Sequence, residues 1–448
     1  MKKLIAIIVC KIVRIIGKLF KRGSSLPGEI ALKIDPHILS KVKLPKYVIA
    51  VSGSNGKTST VEMIRQVLTK AGLKVAFNYE GSNQIEGVTT LILEDVNLKG
   101  ECKSDVILME SDERYARLSF KELVPTHFVL TNLYRDQMTR NGNPEIIYSL
   151  IKEAIHPETK LILNADDPLI TMLGDGHNNN VYYDLNKYKE DYVGVYDDGA
   201  YCPKCKSKME YVYRHYGSTG NYVCTSCDFK HPEAKYHITN VDLNEGILTI
   251  DKDYDIKLGL KSIYNAYNIL ATYALAREID IKPELIIEAL NSYVIKNGRV
   301  TKFKLADKEG VLLISKHENS TSYNQTLTVI KNEDKEVTAL VLVDAISRKY
   351  FTSETSWLWD IDFDLLDSNN VKKIVLSGQY AFDLAERFNY TTVDQNKIYV
   401  EKDIDKAFEY LKNKCDGYIY AVTCFSDMAK VFSRVEVTKW EYFTYTMI

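Results

Sequence analysis

Two short segments bring together residue types whose spacing points to specific chemistry. The first is Gly53-Ser54-Asn55-Gly56-Lys57-Thr58-Ser59, which follows the apolar run Tyr47-Val48-Ile49-Ala50 and opens into Val61-Glu62-Met63-Ile64-Arg65. A strand, a Gly-rich turn and a helix starting at Lys-Thr form the layout of a phosphate-binding loop. The glycines let backbone N–H groups wrap a polyphosphate, and the helix N-terminus adds its positive dipole end. In that layout Lys57 reaches the terminal phosphates and Thr58 holds Mg²⁺. The sequence therefore predicts ATP, bound through Gly53, Ser54, Asn55, Gly56, Lys57, Thr58 and Ser59. The loop is shorter than the commonest pattern, with only Ser54 and Asn55 between Gly53 and Gly56-Lys57-Thr58.

The second segment holds Cys202-Pro203-Lys204-Cys205 and Cys224-Thr225-Ser226-Cys227, two C-x-x-C pairs separated by 18 residues. This is the spacing of a tetrahedral zinc ribbon with each pair on a tight knuckle. With Cys at all four positions, no coordination site remains for a catalytic water, so the predicted zinc is structural. An ATP-using protein belongs in a reducing compartment, which argues against disulfides. Cys10, Cys102, Cys415 and Cys424 lack partner spacing and read as small apolar residues.

Further polar clusters follow apolar runs. Asp105-Val106-Ile107-Leu108-Met109 ends in Glu110-Ser111-Asp112-Glu113, and His127-Phe128-Val129-Leu130 leads into Thr131-Asn132-Leu133-Tyr134-Arg135-Asp136-Gln137. Leu161-Ile162-Leu163 ends in Asn164-Ala165-Asp166-Asp167-Pro168. Carboxylates at a strand end beside a phosphate loop are placed to hold Mg²⁺, and successive clusters of this kind line the crevice at the carboxyl ends of a parallel sheet. A solvated acidic turn is the plainer reading of any one of them.

The elements needed to position these residues are those of an α/β protein. The chain has 448 residues, 45% hydrophobic and 26% charged, enough for two or three domains with their own cores. Its net charge of −2 gives no electrostatic footprint for nucleic acid. The expected divisions are residues 1–45 as an amphipathic helix and lead-in, 46–300 as the central ATP-binding domain with the ribbon inserted at about 198–232, and 301–448 as a smaller α/β domain. In that last part Ala339–Val343 and Lys373–Leu376 alternate with helical stretches such as Ala381–Arg387. Near the N-terminus, the apolar run Leu4–Cys10 is too short to span a bilayer, and Lys18–Arg22 offers no signal-cleavage site. Lys11, Arg14 and Lys18 share one helix face, which suits either an anionic membrane surface or packing on the protein's own domain. The expected location is the cytoplasm, at the inner face of the membrane if the first of these holds.

Several further motifs carry a resemblance. They are Leu26-Pro27-Gly28 with Ala31-Leu32-Lys33-Ile34-Asp35-Pro36, Glu80-Gly81-Ser82-Asn83, Arg135-Asp136-Gln137, Tyr264-Asn265-Ala266-Tyr267-Asn268 and Gly298-Arg299. Together with the short loop, which looks like that of the Mur ligases, and the four-Cys insert, they make the chain resemble the MurT family over nearly its whole length. These are the Mur-ligase-like subunits of lipid II isoglutaminyl synthase, which form a heterodimer with the class I glutaminase GatD. The resemblance implies a Mur-ligase-like central domain and a C-terminal domain that docks the glutaminase. It implies ATP-dependent activation of the D-glutamate α-carboxylate of the lipid II stem peptide, followed by amidation to D-isoglutamine with ammonia from the partner. By the same resemblance, Glu110 joins Thr58 on Mg²⁺, and Asn268 and Arg299 position the nucleotide. The acid lent to the partner's Cys-His pair is expected within Glu354-Thr355-Ser356-Trp357-Leu358-Trp359-Asp360, with Asp360 first and Glu354 second, since the family usually has Asp at the place of Glu354. Lys316-His317-Glu318-Asn319 also departs from the family's Lys-Asn-Pro.

Two other readings stay open on the sequence. One is a Mur or folylpolyglutamate-type ligase that adds an amino acid unaided, although Gln137 stands where such ligases tend to carry a Mg²⁺-binding His. The other is a scaffold that has kept only the fold, against which stand Lys57, Thr58 and Glu110.

Overall fold

Apolar runs buried on both faces form parallel strands, and the first sheet is built from them. In the computed structural model of the chain, β1 (Tyr47–Ser52), β2 (Val75–Phe77), β3 (Val106–Glu110), β4 (His127–Leu130), β5 (Lys160–Asn164) and β6 (Asn180–Leu185) pair in parallel in the spatial order β6-β5-β4-β1-β3-β2. Residues 1–19, 24–78, 83–188, 198–259, 261–294, 300–345 and 354–439 are described. The hairpin of β7 (Met209–Tyr216) and β8 (Thr219–Cys224) stands apart from the sheet. The chain then returns as β9 (Tyr236–Asp242), parallel to β6, and continues antiparallel through β10 (Ile247–Ile250) and β11 (Tyr254–Lys257).

Side chains alternate between the two faces of this sheet. Ile49, Val51, Leu108, Val129 and Ile162 face one core, shared with the helix Ile263–Glu278. That helix is apolar around most of its circumference because most of it is buried. Val48, Ala50, Ile107, Met109, Phe128 and Leu130 face the other core, shared with α1 (Lys2–Leu19), α2 (Leu26–Ile34) and α4 (Ile85–Asp95), while α3 (Lys57–Lys70) packs on the first side. The neighbours of β1 are β3 on one side and β4 on the other, so the chain leaves β1 where the direction of strand addition reverses. In open α/β sheets that point is where ligands bind.

The helix that the sequence left between two roles packs on its own domain. Ala6, Ile7 and Cys10 are fully buried among Ala31, Val88 and Ile92. The cationic face turns inward to Glu94: Lys11 Nζ donates to its backbone oxygen at 2.8 Å, Arg14 Nε to its carboxylate at 3.1 Å, and Lys18 Nζ pairs with the same carboxylate. Among the described residues no helix is long and apolar enough to cross a membrane. Burial pushes the Cys10 and Cys102 thiols up to about 12, which fits an inert packing role.

The chain divides into two compact units, and the second is formed mainly by residues from 294 onward together with Arg135–Gly142. Its sheet comprises β12 (Val300–Leu305), β13 (Lys308–Ser315), β14 (Val337–Leu342), β15 (Val371–Ser377), β16 (Ile398–Glu401), β17 (Tyr418–Cys424) and β18 (Glu436–Lys439). The order is β16-β15-β14-β17-β13-β12-β18, parallel from β16 to β13 and antiparallel at β12 and β18. The expected α/β architecture with a smaller C-terminal domain is therefore present, and the four cysteines sit together at the open end of the β7–β8 hairpin, two before β7, one ending β8 and one beyond it.

Candidate active site

The phosphate loop keeps its shape through two glycines and the polar residues that follow β4. Gly53 has φ +136°, and a β-carbon there would lie 2.2 Å from Thr131 Oγ1; Gly56 has φ +85°, and a β-carbon there would lie 2.2 Å from Asn268 Oδ1. Both the left-handed backbone and the close approach exclude a side chain. Ser54 N donates to Asn132 O at 2.9 Å, Asn55 N to Asn132 Oδ1 at 2.9 Å, and Thr131 Oγ1 to Asn55 O at 2.8 Å. Ser54 Oγ donates to Tyr134 O at 3.1 Å. Asp167 supports that strand end by accepting from Leu133 N at 2.6 Å while it caps the helix after β5. Its complete burial pushes its carboxyl up to about 6, against the pull of three backbone N–H groups.

Gly56 is the N-cap of α3, so Lys57 and Thr58 start the helix with their side chains beside the loop. Lys57 Nζ donates to Gly53 O at 2.5 Å and pairs with Glu113 Oε2 at 3.0 Å; the lysine side chain is 11% exposed and the glutamate 3%. Thr58 Oγ1 donates to Glu110 Oε2 at 2.8 Å. Glu110 is fixed in turn by Asn78, whose Oδ1 accepts from Glu110 N at 3.2 Å. Two oxygens this far apart lie a little closer than the edge of an Mg²⁺ octahedron, roughly 3.0 Å for ligands about 2.1 Å from the ion. Thr58 and Glu110 thus present their oxygens side by side at the loop, where the two could share a metal ion. Asn268 reaches the loop from the helix Ile263–Glu278, whereas Gly298-Arg299 and Glu80-Gly81-Ser82 lie outside the described residues.

The four cysteine sulfurs lie within 4.8 Å of one another, with Cys205 and Cys224 3.4 Å apart and Cys202 and Cys227 3.7 Å apart. None of the eight cysteines is in a disulfide. A zinc ion with Zn–S bonds of about 2.3 Å needs S···S edges of roughly 3.8 Å, so the donor set fits a tetrahedral ion with little adjustment. The ribbon is tied to the main sheet by a buried polar network. His231 Nε2 lies 2.9 Å from Asp166 Oδ1, Tyr267 OH donates to Asp166 Oδ2 at 2.6 Å, and His215 Nδ1 lies 2.7 Å from Tyr267 OH. Burial alone would lower the His231 pKa; its bond to Asp166 and the nearby carboxylates raise it instead.

In the second unit, Asp360 pairs with Arg135, Nη1 to Oδ1 at 3.0 Å, and its side chain is 12% exposed. Glu354 is exposed, and its carboxylate caps Ser356 N at 2.7 Å. Lys316-His317-Glu318-Asn319, the departure from the family pattern, is knitted to the 135–142 segment. Lys316 pairs with Asp136, Asn319 Nδ2 donates to Asp136 Oδ1 at 2.9 Å, and Glu318 accepts from Thr139 N at 3.0 Å. Gln137, at φ +48°, donates its backbone N–H to Glu318 O.

Residues 51–276 match the model of the Mur ligase middle domain, and residues 317–428 match that of the MurT ligase C-terminal domain. Subunit MurT of the glutamine-hydrolyzing lipid II isoglutaminyl synthase of Staphylococcus aureus (strain COL) is 32% identical over 420 residues, covering 93% of each chain. The chain belongs to the MurT family. The MurT subunit of Streptococcus pneumoniae (strain ATCC BAA-255 / R6) is 29% identical over 91% of each chain. Among solved structures, a pseudomurein peptide ligase type C from Methanothermus fervidus matches with a TM-score of 0.67 at 23% identity, over 87% of this chain and 78% of that one. MurF from Acinetobacter baumannii matches at 0.63 and 15% identity, over 90% and 79%. These likenesses show the Mur-ligase fold, and membership of the MurT family makes the chain an ATP-dependent ligase. In this MurT-family chain, four residues that shape the loop region had no place among the expected site residues: Glu113, Asn132, Thr131 and Asn78. The first three belong to the polar clusters that follow the apolar runs, so the sequence carries their signal without assigning a role. Asn78 had none.

Proposed function

We propose that the chain amidates the D-glutamate α-carboxylate of the lipid II stem peptide to D-isoglutamine, as the ATP-using subunit of a heterodimer with a GatD-like class I glutaminase. The observation that carries this reading is the match to MurT along almost the whole of both chains. The loop geometry agrees with it. A carboxylate is a poor electrophile. Attack of one carboxylate oxygen on the γ-phosphorus of ATP releases ADP and gives an acyl phosphate; ammonia then adds at the carbonyl carbon, loses a proton, and expels phosphate. Lys57 and the loop N–H groups offset charge on the transferring phosphoryl group. Thr58 and Glu110 would hold Mg²⁺, which would supply further neutralisation there, and Asn268 and Arg299 would position the nucleotide. In this reading residues 46–300 bind the nucleotide and residues 301–448 dock the glutaminase.

Cys202, Cys205, Cys224 and Cys227 hold a structural zinc in the same proposal. Of the two acids, Glu354 is exposed, whereas Asp360 is paired with Arg135, which supports Glu354 as the acid lent to the partner. Glu354→Gln is expected to lower glutamine hydrolysis by the complex by roughly 10²-fold or more, the scale of losing the orienting acid of a triad, with Asp360→Asn having the smaller effect. The reverse order would return the role to Asp360. The function itself is tested by incubating the chain with lipid II, Mg-ATP, glutamine and the purified glutaminase. Amide formation should require all of them, and ligation of a free amino acid without the partner would favour a Mur or folylpolyglutamate-type ligase.

A further inference from the structure

α1 is amphipathic in an unexpected sense: its buried face is small, its cationic side is turned to Glu94, and its outward face is apolar. Leu4, Ile5, Ile8, Ile12, Ile15 and Ile16 are between 38% and 64% exposed. At about 100° per residue these six side chains fall within an arc of roughly 120°. The same geometry sets Lys11 and Lys18 along one border of the arc and Lys2 along the other. The helix contains five cations and no acid. Ala6, Ile7 and Cys10 hold its opposite face in the core, so the stripe is presented by a helix fixed along the surface of the domain. An exposed apolar stripe of this kind, bordered by charge, marks an interaction site.

We infer that this stripe is a lipid-docking surface that seats the protein on an anionic bilayer, with the isoleucines at the acyl boundary and the exposed Lys2 and Lys18, one on each border, at the headgroups. Three features on the stripe select lipid over protein. Its six residues are all aliphatic, without the Trp, Tyr or Arg that anchor protein interfaces. It lacks groups that would hydrogen-bond a specific partner. Two copies packed through it would bring lysine borders together, like charge against like, whereas anionic headgroups complement them. The inference rests on the helix and not on the reaction, although an acceptor carried on a lipid gives such docking an evident use.

The test is co-sedimentation of the full chain with phosphatidylglycerol vesicles and with phosphatidylcholine vesicles, both free of lipid II. The parent should bind the anionic vesicles and bind the zwitterionic ones weakly. Ile5→Glu/Ile12→Glu/Ile16→Glu should lower the bound fraction at least about tenfold, since each carboxylate opposes both apolar burial and the anionic surface. These positions are exposed, so the thermal midpoint should stay the same, as should amidation of detergent-dispersed acceptor. Equal vesicle binding by parent and variant would overturn the inference, as would failure of the parent to bind. Concentration-dependent dimerisation of the parent that the variant loses would assign the stripe to a second copy. Loss of amidation in detergent by the parent would count against the proposed reaction alone.

Discussion

Lys57→Ala is expected to lower ATP-dependent amidation by roughly 10²–10³-fold, the cost of losing one preorganised charge where negative charge develops. The lysine starts α3 at the loop, and its ammonium is held by Gly53 O and the nearly buried Glu113. Its removal also leaves the Glu113 carboxylate without that partner, which costs about 1–3 kcal/mol of stability. The two effects can be separated. Lys57→Ala/Glu113→Gln removes the stranded charge, so its thermal midpoint should recover while its turnover stays low. Binding of the glutaminase, measured by calorimetry or gel filtration, should be unchanged in both variants. Turnover near the parent's in Lys57→Ala, or recovery of activity in the double variant, would remove Lys57 from the chemistry.

Removal of the proposed zinc has the second largest expected effect, and it falls on stability. A hairpin as small as β7–β8 has little core of its own: Cys202, Met209, Tyr222, Cys224 and Phe229 make up its buried cluster. A structural metal supplies the missing folding energy in such modules. Chelation, or Cys205→Ser, should therefore lower the thermal midpoint by roughly 5–10 °C, given that about 1 kcal/mol corresponds to a few degrees in a domain of this size. The phosphate loop takes its hydrogen bonds from Thr131, Asn132 and Tyr134, and the hairpin meets it only indirectly, through the Tyr216 ring beside Tyr134, so nucleotide affinity should change less than stability. Protein purified without reducing agent exchange or chelator should carry one zinc per chain by elemental analysis. A zinc-free chain with an unchanged midpoint would refute the ribbon.

Much of this site could be read from residue order alone because its parts are local. Gly53, Gly56, Lys57 and Thr58 are adjacent in sequence, and the turn-then-helix geometry follows from their types. The cysteine pairs were legible for the same reason, since knuckle spacing is a short-range property. What escaped was tertiary. Nothing in the spacing joins Lys57 to Glu113 or Glu110 to Asn78, because those contacts depend on which strands are neighbours. The ribbon's attachment through His215, His231, Tyr267 and Asp166 is likewise a product of packing. The N-terminal helix shows the limit most clearly. Its lysines mark a cationic face, but only the position of Glu94 shows that this face is used internally and that the isoleucines are left outside.

In the proposed mechanism this loop activates a carboxylate for attack by ammonia from a second chain. Lipid II labelled with oxygen-18 in the D-glutamate α-carboxylate, turned over with Mg-ATP, glutamine and the glutaminase, tests it directly. One labelled oxygen is expected in the phosphate released for each isoglutamine formed, because the carboxylate oxygen that attacks the γ-phosphorus leaves with it. Unlabelled phosphate accompanying amide formation would rule out the acyl phosphate.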